Sequence, residues 1–133
     1  MKLTTKSEYS LLALIYLARN IKRGYVKMGD ICKKYGFSKK YLDQIMIMLK
    51  NSRYVESKRS SKGGYRLAMP ANKINIADVI RMMDGALAPS GAVSTYFYES
   101  SPLEKEKKML AVLKDIREYI SDKLEELTIA DLI

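Results

Sequence analysis

Apolar positions along the chain repeat with helical spacing over most of its length, broken once by a stretch that alternates. The first run, "LLALIYLA" from Leu11 to Ala18, is apolar almost without interruption, and Thr5 and Glu8 precede it at the spacing of a capping box. This predicts a helix over about Lys6 to Asn20, apolar on most sides and so part of the core. Met28, Ile31, Cys32 and Tyr35 then recur at i, i+3, i+4 and i+7, predicting a short amphipathic helix that stops at Gly36. Ser38 caps a third helix with Leu42, Ile45, Met46 and Leu49 on its inner face. Only "YGFS" separates the two, so they read as a helix-turn-helix.

The alternating stretch follows. Val55, Ser57 and Arg59 alternate with Glu56 and Lys58, and Tyr65, Leu67 and Met69 alternate again before Pro70. This predicts a two-stranded hairpin whose loop uses Gly63 and Gly64 for positive φ. A nucleotide-binding P-loop is excluded: it requires G-x-x-x-x-G-K-[ST] between a strand and a helix, and here a second strand follows the glycines. Helical spacing then returns. Asn75 with Asp78 caps a fourth helix bearing Ile76, Val79, Ile80 and Met83, Ile74 and Val79 form its hydrophobic staple, and Gly85 ends it. Residues 85–101 have no period and include the aromatic cluster "TYFYE". Ser101, Pro102 and Glu104 open a predicted helix of about 25 residues reaching Glu126. Met109, Leu113, Ile116, Ile120 and Leu127 form a near-heptad seam along it, interrupted at Lys123, which predicts pairing with a second copy. Glu125 and Glu126 sit unfavourably at its C-terminal end and call for a basic side chain from elsewhere. The expected organisation is mainly α: a winged helix-turn-helix domain over 1–84, with a hairpin wing, and a linker with a long dimerisation helix over 85–133.

Charge divides the chain at nearly the same place. The net charge of +9 over 133 residues is concentrated in residues 1–70, with 16 basic and 4 acidic side chains, against 8 basic and 11 acidic in residues 71–133. The first half therefore suits a polyanion. The outward face of the third helix carries Lys39, Lys40, Asp43, Gln44, Ile47 and Lys50. Lysines in a helix's first turn oppose its dipole, a conflict relieved where that end meets phosphates or base edges. Gln44 is a bidentate reader of adenine, and Asp43 can accept from cytosine N4. With Lys58, Arg59, Lys62, Gly63 and Gly64 on the wing, these residues form the candidate contact surface for double-stranded DNA.

Histidine is absent and Cys32 is the sole cysteine. Neither a catalytic constellation nor a nucleotide motif is present, so an enzyme is not expected. A lone thiol forms no intrachain disulfide and fits a reducing, cytoplasmic setting. The run at Leu11–Ala18 is too short to span a bilayer and has no cleavage site after it, so no leader or membrane anchor is expected. Cys32 lies on the inner face of its helix, where a thiol is usually a small hydrophobe, although the neighbouring Lys33 and Lys34 would favour thiolate if the sulfur were accessible.

The segments "KLTTKSEYSLLALIYLA", "GFSKKYLDQIMIMLKNSRYVESKRSSKGGYRLAMP", "INIADVIRMMDGALAP" and "LTIADLI" together resemble the Rrf-two (Rrf2) family of bacterial winged-helix transcription factors, which includes IscR, NsrR and CymR. The resemblance covers essentially the whole chain. It implies a homodimer on a two-fold-related operator, with base-contacting positions at Ser38, Lys40, Tyr41, Asp43 and Gln44 and a minor-groove arginine at Arg59. This chain departs from the pattern at Asp43, where a longer Glu is common, and at Lys27, where a helix-capping Ser or Thr is usual. A larger departure lies in residues 86–108. Many relatives carry three cysteines there that bind an iron–sulfur cluster, and this chain has neither Cys nor His. No cofactor is therefore expected, and the chain resembles the cluster-free branch, whose members act through a partner protein, an effector or a thiol. The leading expectation is a sequence-specific repressor. A winged-helix protein-interaction module and a redox regulator acting through Cys32 are the alternatives.

Overall fold

A computed structural model describes residues 1–133. The elements run α1 (Thr5–Arg19), α2 (Met28–Tyr35), α3 (Lys39–Asn51), β1 (Val55–Lys58), β2 (Gly64–Leu67), α4 (Ile76–Asp84) and α5 (Lys107–Glu125), linked by short 3-10 turns. The mainly α winged-helix expectation holds.

The predicted inner faces are the buried ones. Leu14, Leu17, Ile31, Leu42, Ile45, Met46, Leu49, Ile76, Val79 and Ile80 lie in one 20-residue apolar cluster. Two caps form as expected: Ser38 Oγ accepts from the Tyr41 amide at 3.4 Å, and Asn75 Oδ1 accepts from the Asp78 amide at 3.2 Å. Gly36 ends α2 in the left-handed region, φ 74° and ψ 30°. The capping box at Thr5 and Glu8 does not form. Thr4 is the N-cap of α1, and its side chain makes no capping bond. Instead the Thr4 amide donates to the Asp84 carboxylate at 2.9 Å and its hydroxyl donates to the same group, tying the start of α1 to the end of α4.

Aromatic rings fasten the helix-turn-helix to α1. Tyr9 stacks on Phe37 with centroids 3.7 Å apart, Phe37 stacks on Tyr35 at 5.2 Å, and Tyr41 meets Tyr9 edge-on at 5.2 Å.

The C-terminal half departs from expectation in three ways. First, Pro102–Lys105 is a separate 3-10 turn, and Glu106 (φ −109°, ψ 85°) breaks the path, so α5 has 19 residues rather than about 25. Second, the predicted seam divides. Leu113 is buried against Ala88 and Val93, and Ile120 and Leu127 pack on the main core. Met109 and Ile116 remain 45% and 42% exposed. Burying part of the stripe at home is what the apolar residues of 85–101 require. Third, the chain returns to its own start. Ile129 is fully buried in the main cluster, the Ile76 amide donates to Leu127 at 3.0 Å and the Ile129 amide donates to Ile74 at 3.0 Å. The core therefore crosses the expected 84/85 boundary. The basic partner called for at the end of α5 is Arg81, which bonds Glu125 at 2.5 Å.

Candidate nucleic-acid interface

The candidate recognition surface is built from α3 and the hairpin. Antiparallel pairing sets Val55 opposite Leu67 and Lys58 opposite Gly64, so Arg59 falls in the loop. Val55 and Leu67 are buried and anchor the hairpin to the core. A further connection comes from Val26, just before α2. Its amide donates to Tyr65 at 2.7 Å and accepts the Tyr65 amide on its carbonyl at 2.8 Å. The wing is thus tied to the helix-turn-helix by a one-residue bridge.

That bridge explains the two glycines differently from the sequence expectation. Gly64 has φ 140°, but Gly63 is not in the positive-φ region. Gly63 is required by proximity: a Cβ there would lie 1.9 Å from the Lys58 carbonyl oxygen. At Gly64 a Cβ would lie 2.3 Å from the carbonyl oxygen of Val26. One glycine lets the loop fold over its own strand, and the other lets the strand approach Val26.

Between α3 and the wing lies a groove of about 380 Å³, lined by Asp43, Ile47, Lys50, Lys58, Arg59, Gly64 and others. Five of the candidate DNA-binding residues therefore share one concave surface. Ser38, Lys39, Lys40 and Gln44 are exposed along the first turns of α3, and Lys62 is exposed at the wing tip. Tyr41 is half-buried against Tyr9, and Gly63 is buried, so these two shape the surface more than they present groups on it. Burial first, and then the charge of Asp43, raises the Tyr65 pKa, so the phenol lining the groove stays neutral.

Two supports were not legible in the sequence. Lys27 occupies the N-cap of α2 without capping it, and its ammonium instead donates to the Ser60 carbonyl in the wing loop at 3.1 Å. Tyr25 carries the Arg66 guanidinium 4.4 Å above its ring and the Lys58 ammonium at 5.8 Å, while Arg66 also pairs with Glu56. The only local signal for this strut is the β-prone pair Tyr25-Val26 after Gly24.

Cys32 is half-buried on α2 and packs on the main core. No group of three or more His, Cys, Asp or Glu side chains is arranged to hold a metal ion. No helix is long and apolar enough to cross a membrane.

Comparison with known proteins agrees with this geometry. The Rrf2 family model, described as an iron-dependent transcriptional regulator, matches residues 3–133. A candidate HTH-type transcriptional regulator of Mycobacterium tuberculosis (strain H37Rv) is 34% identical over 133 residues, 99% of this chain and 81% of that one. The structure of CymR, the global cysteine regulator of B. subtilis, matches with a TM-score of 0.80 and 28% identity over 99% of this chain and 95% of that one. T. potens IscR matches with a TM-score of 0.77 and 27% identity over 99% of this chain and 85% of that one. These are regulators and not enzymes, and the chain belongs to the Rrf2 family of winged-helix transcriptional regulators.

Proposed function

We propose that this protein is a sequence-specific repressor that binds a two-fold-related DNA operator as a homodimer and carries no iron–sulfur cluster. The observation that carries the reading is the groove between α3 and the wing, which Lys50, Lys58 and Arg59 line together with the base-reading candidate Asp43. Cations along the rim suit phosphates, and polar side chains on the outward face of α3 suit base edges. In this reading Ser38, Lys39, Lys40 and Gln44 enter the major groove while Arg59 reaches the minor groove. Selecting bound fragments from genomic DNA tests it: a shared inverted repeat is expected, and a pool no richer in any sequence than its input would refute it. Within the selected site, Gln44→Ala should weaken specific binding more than binding to random duplex. Equal losses on both would remove Gln44 from the readout.

Dimerisation is supported by the part of α5 left uncovered. Met109, Val112, Ile116 and Tyr119 form an exposed apolar stripe on a 19-residue helix. The residues of 86–108 do not fit an iron–sulfur cluster, which takes thiolate or imidazole ligands. That segment offers only carboxylates, hydroxyls and amines, and Cys32 is remote in the helix-turn-helix. Protein purified without oxygen is expected to be colourless; a brown protein with stoichiometric iron and sulfide would overturn this assignment.

A further inference from the structure

Ile47 has no role in the fold. It stands on the outward face of α3, 48% exposed, and belongs to neither apolar cluster. A β-branched residue at an exposed helical position gains nothing from propensity. Yet it lies in the groove between Asp43 and Lys50, facing Lys58, Arg59 and Tyr65 of the wing. Lys40, Asp43, Gln44 and Ile47 also recur at i, i+3, i+4 and i+7, so one stripe of α3 presents all four together, and all but Ile47 are polar or charged. The same spacing serves the base-reading helices of other DNA-binding folds.

On the major-groove edge of DNA, three base types present only donors and acceptors, and thymine adds an apolar group, its C5 methyl. We infer that Ile47 is a specificity-determining residue that packs on the C5 methyl of a thymine in each half-site. The inference rests on the DNA-binding reading above and adds a base and an atom to it. The register follows from the helix. Four residues separate Ile47 from Asp43, about 6 Å of rise, and successive bases on a strand are about 3.4 Å apart. With α3 running along that strand, the thymine lies about two base steps from the base that meets Asp43. Burying a methyl against an isoleucine side chain corresponds to about a 4-fold change in affinity per half-site.

The experiment replaces each thymine of the selected operator with uracil, one position at a time, which removes the methyl and leaves the hydrogen-bonding edge intact. Binding is measured at fixed salt for the native protein, Ile47→Ala and the conservative Ile47→Val. At one position per half-site the native protein and Ile47→Val should lose about 4-fold, and Ile47→Ala should lose nothing further. Circular dichroism and binding to random duplex check that Ile47→Ala remains folded; Ile47→Val covers the same position if it does not. A uracil penalty of equal size in the native protein and Ile47→Ala, or no penalty at any position, overturns the assignment while leaving the DNA-binding reading intact. Failure to select any operator would overturn both.

Discussion

Replacing Gly64 with alanine would place a Cβ 2.3 Å from the Val26 carbonyl oxygen and 2.6 Å from its carbon. Both are backbone atoms, so neither can swing aside as a side chain would. The alanine must also adopt φ 140°, a region that side chains rarely enter, at a cost of about 1–3 kcal/mol. Relief requires β2 to leave Val26, breaking the pair of bonds at 2.7 and 2.8 Å between Val26 and Tyr65, each contributing about 1 kcal/mol net. The expected destabilisation is about 3–5 kcal/mol, or about 10–18 °C in Tm for a chain of this size. Gly36→Ala is the control. Gly36 also has positive φ, 74°, but no atom lies within 4 Å of its Cβ position, so only the left-handed backbone penalty of about 1–2 kcal/mol applies. Urea unfolding followed by circular dichroism compares the two. Gly64 and Tyr65 also line the α3–wing groove, so Gly64→Ala should weaken operator binding beyond its loss of folded protein. A Gly64→Ala protein no less stable than Gly36→Ala would refute the close-approach argument.

Arg59→Ala should weaken DNA binding and reduce the slope of log affinity against log salt by about 1 per protomer; an unchanged slope in a salt titration would count against contact between the wing and DNA. Ile116→Glu places a charge on the exposed stripe of α5 and, because two-fold symmetry repeats each substitution across the interface, should weaken self-association about 1000-fold by sedimentation equilibrium; a native-like dimer would move the interface elsewhere. Burial alone would raise the Asp84 pKa, but hydrogen bonds from the Thr4 side chain and backbone, with smaller contributions from Ser7 and Lys6, bring it below its ordinary value. Its contribution to stability is therefore present above the unfolded-state carboxylate value of about 3.9 and lost as pH falls through the lower folded value. Thr4→Val should flatten the fall in Tm across that acidic window, and an identical acid profile in Thr4→Val would refute the clamp.

Sequence patterns made the N-terminal half legible because its elements are terminated locally. Ser38 and Asn75 cap the helices they precede, Gly36 ends α2, and each periodic face finds the core. What stayed hidden were contacts whose partners lie far along the chain. Thr4 is drawn from a capping role by Asp84, 80 positions away, and no local pattern distinguishes it from Thr5. Lys27 looks like a missing cap because the Ser60 carbonyl it reaches lies 33 positions on. The seam on α5 had a similar limit. Its period identified apolar positions but not their occupant, and Leu113 is already covered by Ala88 and Val93, both from a stretch with no period of its own. In the candidate site, residue types and the wing's position were readable. The Val26 bridge, which fixes the angle of the wing against α3, was not.

The return of the C-terminus determines how the two halves communicate. Arg81 of α4 holds the Glu125 carboxylate at 2.5 Å, Asn75 donates to the Glu125 carbonyl at 2.8 Å, and residues 127–129 exchange backbone hydrogen bonds with residues 74–76. The far end of α4 is held to α1 through Asp84 and Thr4. α1 in turn bears the Tyr9 ring on which Phe37 and Tyr41, flanking the start of α3, are seated. α5 and α3 are thus joined through packed elements rather than through a free linker. In the proposed dimer this makes the separation of the two recognition helices a property of how α5 sits on α4. Altering that seating would change operator affinity without touching a residue in the groove. Residues 85–101 lie at this joint: Leu87 enters the main core, Val93 packs beneath Leu113, and Tyr96 lies over the Arg81 guanidinium at 4.8 Å. The segment left without an assignment by its sequence pattern is therefore the one whose contacts reach both halves.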